Sequence, residues 1–215
     1  MGPNNQTNTA KETSRIEAFS DGVFAIAITL LVLELIQTIH LEAGEGLLNI
    51  VLHHWEPFAA FTIGFITILV CWYNHHVLFE CIVKTDTKLV WLNGFLLFVI
   101  TLTPFPTAVL AEYFLKDSIT ALSLFGFTYF LMSLAYKVVS SYAYNNHLIR
   151  EADREYYYSY KIIYKYATFY NVGVLILCYY FIFLPIILYA IMFILFAAPK
   201  EFASRLYKMR MAGKK

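Results

Sequence analysis

Charge is scarce in this sequence. Charged residues make up 14% of its 215 residues, where soluble domains carry about one quarter. Hydrophobic residues reach 60% and aromatics 18%, which leaves too few polar side chains to cover a water-soluble globule. Cysteine is scarcer still. Cys71, Cys81 and Cys178 show neither paired nor metal-ligand spacing, so reduced packing residues are expected and no disulfide framework. The opening stretch, Met1 to Ser14, is polar and rich in Asn and Thr. It lacks the basic start, short apolar run and cleavage site of a secretory signal peptide. There is no H-E-x-x-H, no exposed nucleophile motif and no glycine-rich phosphate loop. The histidines do not converge either: His53 and His54 precede an apolar run that ends in His75 and His76, roughly 30 Å away at about 1.5 Å per helical residue. An enzyme is not expected, and neither is a resident metal, a cofactor or a nucleic-acid partner. No internal repeat is visible beyond hydropathy.

What the chain has is apolar runs separated by short charged segments, the pattern of an all-α integral membrane protein. A spanning helix needs about 20 mostly apolar residues. Four clear runs extend over residues 17–37, 57–79, 89–111 and 119–142. A fifth run, 162–198, is too long for one helix and just long enough for two joined near residues 179–185, with Pro185 in the first turn of the second. Six transmembrane helices put every Lys and Arg except Lys116 on one side. A five-span reading would place the basic tail on the other. Since cytoplasmic loops carry excess Lys and Arg, both termini are expected in the cytoplasm. Residues 1–14 then form a polar tail, 15–199 the membrane domain and 200–215 a basic cytoplasmic tail that can meet anionic membrane lipids. The connection 38–56 carries His40, Glu42, Glu45, His53, His54 and Glu56 without Lys or Arg, and Leu41 to Trp55 can form a short interfacial helix. The carboxylates of Glu34, Glu42, Glu45 and Glu56 read first as solvated surface groups. Tyr156, Tyr157 and Tyr158 read as interfacial anchors.

Within the first run the charges sit at the ends. On a wheel of about 100° per residue, Gly22, Ile26, Thr29, Leu30, Leu33 and Gln37 fall within roughly 60° of Ile26, while Asp21 lies roughly 140° away. An ionisable group inside a membrane finds a partner or a cavity. By depth the partners of Asp21 are Trp72, Asn74 and His75 on the second helix and Trp91 and Asn93 on the third, with Arg15 and Lys88 at the rim. These residues are expected to form one polar layer that locks the first helix; a proton relay or gate is the other use.

Arg15-x-x-x-Phe19-Ser20-Asp21 at the start of the first span, Trp72-Tyr-Asn74-His75-His76 ending the second, Trp91-Leu-Asn93 opening the third and the later Pro104-Phe105 together resemble the transmembrane protein 175 family, the endolysosomal potassium channels and their prokaryotic relatives. Animal members carry two six-span repeats; this chain has one. The resemblance therefore implies a prokaryotic cell-membrane channel, a homotetramer with four first helices around a central pore and potassium ions as its cargo. In that family bulky aliphatics five, nine and twelve residues after the signature Asp line the pore. Those positions here are Ile26, Leu30 and Leu33, and Thr29 can add a ring of hydroxyls. No T-V-G-Y-G carbonyl filter occurs. Selectivity would come from an apolar constriction that makes ions shed water, which disfavours Na⁺ relative to K⁺ and yields modest discrimination. Read without the resemblance, the same aliphatics are ordinary helix-packing residues. The rival function is a proton-coupled secondary transporter using Arg15, Asp21 and His75, although no pair of glycine- or proline-broken helices marks a midplane substrate site.

Overall fold

In hydrocarbon a segment must satisfy its own backbone polar groups, so apolar runs of this length fold as helices. A computed structural model of the chain describes residues 3–41, 46, 48, 55–114 and 116–213, the side chains of 3–12, 34 and 37–41 excepted. The helices are α1 (Pro3–Leu41), α2 (Glu56–Phe79), α3 (Thr87–Thr101), α4 (Pro104–Tyr113), α5 (Ser118–Asn145), α6 (Arg154–Leu177), α7 (Phe183–Ala197) and α8 (Pro199–Ala212), with one 3₁₀ turn at Glu151–Asp153. No strand occurs among the described residues, only an isolated bridge between Ile82 and Ile149. The connection that would hold Glu42, Glu45, His53 and His54 lies outside the described residues, as do the side chains of Glu34, Gln37 and His40.

Local chemistry sets the ends of these helices. Asp86 caps α3, its Oδ1 accepting the Leu89 N–H at 2.8 Å, and Asp117 caps α5 through the Thr120 N–H at 3.3 Å. The single helix expected over 89–111 is two helices. Pro104 has no N–H and its ring crowds the preceding turn, so α3 stops at Thr101 and α4 restarts at Pro104. The polar residues from Pro3 onward are helical. They extend α1 to 39 residues, about 58 Å at 1.5 Å per residue, against a hydrocarbon core of about 30 Å. The run 162–198 breaks over 178–182, and Pro185 sits in the first turn of α7.

Among the described residues, four segments are long and apolar enough to cross a bilayer: Thr13–Leu33 within α1, α2, Thr87–Tyr113 across α3 and α4, and α5. The first half of α6 mixes tyrosine with Arg154, Lys161 and Lys165. At 15 residues α7 is short, and it meets α8 at an 83° bend.

The main core joins α1, α2, α3, α5 and α6 around Leu31, Ile68, Leu78, Leu96, Ile100, Val139 and Tyr160. A second cluster, Leu122, Phe125, Tyr129, Val174, Cys178 and Tyr189, fills the space between α5, α6 and α7. The helix α1 packs mainly along α2 and α3. Gly64 permits the close approach of α1 to α2: a Cβ there would meet Leu31 Cδ2 at 3.0 Å.

One end of the bundle is tied together outside the apolar runs. The Val83 and Lys84 N–H groups both donate to the Leu148 carbonyl, at 2.9 and 3.1 Å. Lys200 Nζ reaches Glu80 Oε2 at 2.7 Å, joining the start of α8 to the end of α2. That ammonium holds the Glu80 carboxyl below its ordinary value of 4.5. A depressed carboxyl contributes stability above its unfolded pKa and loses it as pH falls through the folded value. Both partners are about half exposed, so the pair is worth about 0.2–1 kcal/mol. Glu80→Gln is therefore expected to lower the melting temperature by up to a few degrees at pH 7, the difference shrinking as the pH falls below 4.5 and vanishing below the carboxyl's depressed folded pKa, as read by thermal unfolding in detergent. A difference that persists at low pH would show that Glu80 acts through something other than its charge.

Candidate functional site

The rotation of α1 follows from which side chains it buries. Phe24, Ala27 and Leu31 are buried against α2 and α3, whereas Ile26, Leu30 and Leu33 are 60%, 52% and 49% exposed. Gly22, Ala25, Thr29, Val32 and Ile36 are exposed as well. On the same wheel the uncovered residues span about 180° of the helix. Thr29 donates its hydroxyl proton to the Ile26 carbonyl at 2.9 Å. Only acceptor lone pairs of that hydroxyl remain to face outward.

Behind this face lies a short chain of buried hydrogen bonds whose directions can be assigned. Ser20 is fully buried, and its Oγ donates to the Ile16 carbonyl at 2.8 Å. Having spent its proton, Oγ can only accept, and it does so from Asn93 Nδ2 at 3.0 Å. That orients the Asn93 amide so that Oδ1 faces His75 Nε2 at 2.8 Å. The proton of the His75 ring therefore lies on Nε2. Phe24 meets the same ring edge-on at 5.4 Å and Phe79 stacks on it at 4.2 Å. Three helices, α1, α3 and α2, are thus connected through Ser20, Asn93 and His75.

Asp21 stands beside this chain rather than in it. Its Oδ1 accepts the Trp72 indole N–H at 2.8 Å, at an exposed position. No hydrogen bond joins Asp21 to His75, so the relay that a transporter would need has no direct link here. Two residues placed in the same layer lie elsewhere. Asn74 turns toward α7 and α6, with Nδ2 donating to the carbonyls of Val70 and Phe196 and Oδ1 accepting from Tyr164 OH at 3.2 Å. It precedes His75 by one residue, about 100° around the helix, so the two side chains meet different neighbours. Trp91 is 75% exposed because it lies about 200° from Asn93 on α3. Lys88 places its ammonium 5.1 Å from the Tyr142 ring centre. Arg15, Phe19, Asp86 and Trp91 border an open groove of about 900 Å³, with Phe19 64% exposed. A second set of buried polar side chains, Thr67, Tyr129, Tyr136, Tyr164 and Asn171, lies between α2, α5 and α6; its signal in the sequence is hydroxyls and amides recurring within apolar runs.

Removing Asn93 should be costly. Asn93→Leu leaves the His75 N–H buried without a partner and removes the donor to the Ser20 oxygen, and is expected to destabilise the protein by about 2–4 kcal/mol. Trp72→Phe, which frees only an exposed carboxylate, should cost less than about 1.5 kcal/mol. Thermal unfolding in detergent ranks the two, and the reverse order would place the anchoring of α1 on Asp21.

Comparison with known proteins places this geometry in a family. The family described as endosomal/lysosomal potassium channel TMEM175 matches residues 15–104, which include every residue of the Ser20–Asn93–His75 chain. A potassium channel of Chamaesiphon minutus is 52% identical over 103 residues, 47% of this chain and 51% of the relative. A potassium channel of Streptomyces collinus is 39% identical over 130 residues, 60% of this chain and 63% of the relative. The aligned stretch thus spans about half to under two thirds of these relatives. The crystal structure of a lysosomal potassium-selective channel TMEM175 homolog from Chamaesiphon minutus superposes with a TM-score of 0.74 at 33% identity, over 88% of this chain and 98% of that one. With fold and sequence agreeing over nearly the whole of that homolog, the chain belongs to the TMEM175 family.

Proposed function

We propose that this chain is one subunit of a potassium-conducting cation channel, with four copies arranged so that their α1 helices surround a central pore. The observation that carries this reading is the uncovered arc of α1. A helix at the edge of a membrane bundle normally turns its apolar side to lipid, yet this arc also contains the exposed Gly22 and Thr29 and is flanked by Asp21. An arc of about 180° is wider than one wall of a narrow pore requires. Its remainder, Ala25, Val32 and Ile36, is free to meet neighbouring copies of α1. The names of the bacterial relatives and of the solved homolog support potassium as the cargo.

In this reading Ile26, Leu30 and Leu33 form stacked apolar rings that a hydrated ion passes only by losing water. Na⁺ holds its shell more tightly than K⁺ and is disfavoured, so discrimination is modest. Thr29, whose proton is held by the Ile26 carbonyl, presents oxygen lone pairs that can replace part of the lost shell. The Ser20–Asn93–His75 chain sets the rotation of α1, and the Arg15, Phe19 and Asp21 positions carry the family signature around it. Six spans follow if α6 and α7 cross in spite of their tyrosines and short length, buried partly against protein. Residues 15–199 then form the channel body in a prokaryotic cell membrane, both termini face the cytoplasm, and the basic stretch 200–215 lies against anionic lipid headgroups. Nothing in this scheme requires catalysis.

The test is ion flux from liposomes holding the purified protein under separate K⁺, Na⁺ and Cl⁻ gradients. Passive K⁺ flux that dissipates its own gradient is expected; slow, saturable flux that depends strictly on a pH gradient would favour the transporter instead. In single-channel recordings, Ile26→Asn should raise conductance or lower the K⁺/Na⁺ permeability ratio several-fold. An unchanged conductance and ratio would remove Ile26 from the constriction.

A further inference from the structure

Away from α1, the interior of the bundle holds a cavity of about 60 Å³ between α2, α5, α6 and α7. A water needs about 10–15 Å³ measured this way, so there is room for roughly four. The wall is mostly apolar but carries Thr67, Asn74, Tyr129, Tyr136, Tyr164 and Asn171.

The protons of this wall are all committed. Thr67 Oγ1 donates to the Ile63 carbonyl at 2.7 Å. The 2.7 Å contact between Tyr129 OH and Thr67 Oγ1 must then be a donation from the tyrosine. Tyr136 OH donates to the Cys71 carbonyl at 2.6 Å, and Tyr164 OH donates to Asn74 Oδ1. The Ser133 hydroxyl, also on the wall, goes to the Phe130 carbonyl at 2.9 Å. Asn74 spends its amide protons on two carbonyls.

Asn171 is the exception on the acceptor side. It is fully buried, and its Nδ2 donates to the Ala167 carbonyl at 2.9 Å and approaches Met192 Sδ at 3.4 Å. Exchanging O and N in this amide would set two oxygens against each other, so the free atom is Oδ1. It has no partner. The cavity thus presents oxygen acceptors and no uncommitted side-chain donor. An occupant has to bring its own protons, and the space suits something the size of water.

We propose that this cavity is a hydrated site in the membrane interior, holding a small water cluster that donates to Asn171 Oδ1 and to the lone pairs of the tyrosine hydroxyls. Water fits better than an ion because no charged side chain lines the wall, and a bare cation there would be uncompensated. The cluster joins α6 to α2 and α5 as a hydrogen-bonded filler, and α7 forms its lid through Met192, Phe193 and Phe196. This inference is independent of whether α1 conducts ions.

X-ray hydroxyl-radical footprinting of the full-length protein in lipid nanodiscs tests it, because radicals formed from a bound water oxidise only its neighbours. Tyr164 and Tyr129 are 2% and 4% exposed, and Phe24 and Phe79, each 1% exposed, serve as dry references. The tyrosines should be oxidised at least fivefold faster than the phenylalanines, and Asn171→Leu should lower the Tyr164 rate at least threefold. Tyrosine rates equal to those of the two phenylalanines would overturn the proposal in the wild-type protein alone, whatever the variant does. A Tyr164 rate unchanged by Asn171→Leu in folded protein would overturn it as well.

Discussion

Hydrocarbon offers no water to take up a broken hydrogen bond, and this single constraint organises the structure. Most polar groups drawn into the bundle find a partner there, because leaving one unpaired costs more than a packing contact returns, and Asn171 Oδ1 is an exception. Ser20 is the point where the constraint acts most directly on α1. Buried and already bonded to its own helix through Ile16, its oxygen is satisfied by one atom of α3, Asn93 Nδ2. That contact orients the Asn93 amide, and the amide in turn selects the tautomer of His75 on α2. Rotating α1 by even one residue's angle would break the chain at its first link.

This anchoring matters because it fixes a direction that the apolar contacts of α1 do not. That helix packs mainly against α2 and α3, with Phe24, Ala27 and Leu31 buried and the close approach at Gly64 behind Leu31. Apolar packing is non-directional and would tolerate a range of rotations; a hydrogen-bond chain with assigned donors does not. The opposite side of the bundle is held differently, by tyrosines. Tyr136 reaches the Cys71 carbonyl, Tyr164 reaches Asn74 and Tyr129 reaches Thr67, so that α2, α5 and α6 are tied by hydroxyls at several depths.

Particular residues show what was readable in the chain beforehand and what was not. Wheel arithmetic put Ile26, Thr29, Leu30 and Leu33 on one face, and these are residues the bundle leaves uncovered. Depth along each helix was equally readable, which is why Ser20, Asp21, Trp72, His75 and Asn93 occur at one level. Depth says nothing about direction around the axis. Asn74 and Trp91 share that level yet point away from it, one to Phe196 and Tyr164 and the other outward. The break between α3 and α4 was signalled by Pro104 and was overlooked because the hydropathy of the run is continuous through it. The interfacial reading of Tyr157 also missed its setting: the side chain is fully buried, since an aromatic ring near the end of a span can pack inward as readily as sit at the surface.

Composition and spacing alone determined that the chain is helical and apolar, where its charged connections fall, and that its first helix has an uncharged face with a carboxylate to one side. Those properties are local, set by side-chain chemistry and a fixed angle per residue. Only the tertiary structure decided which face of α1 is covered, that Asp21 meets Trp72 while Ser20 meets Asn93, and that an acceptor-lined cavity opens between α2, α5, α6 and α7. Each of these depends on how helices distant in sequence are rotated against one another. That rotation is settled by pairing buried polar groups across the bundle, and no single helix carries the information.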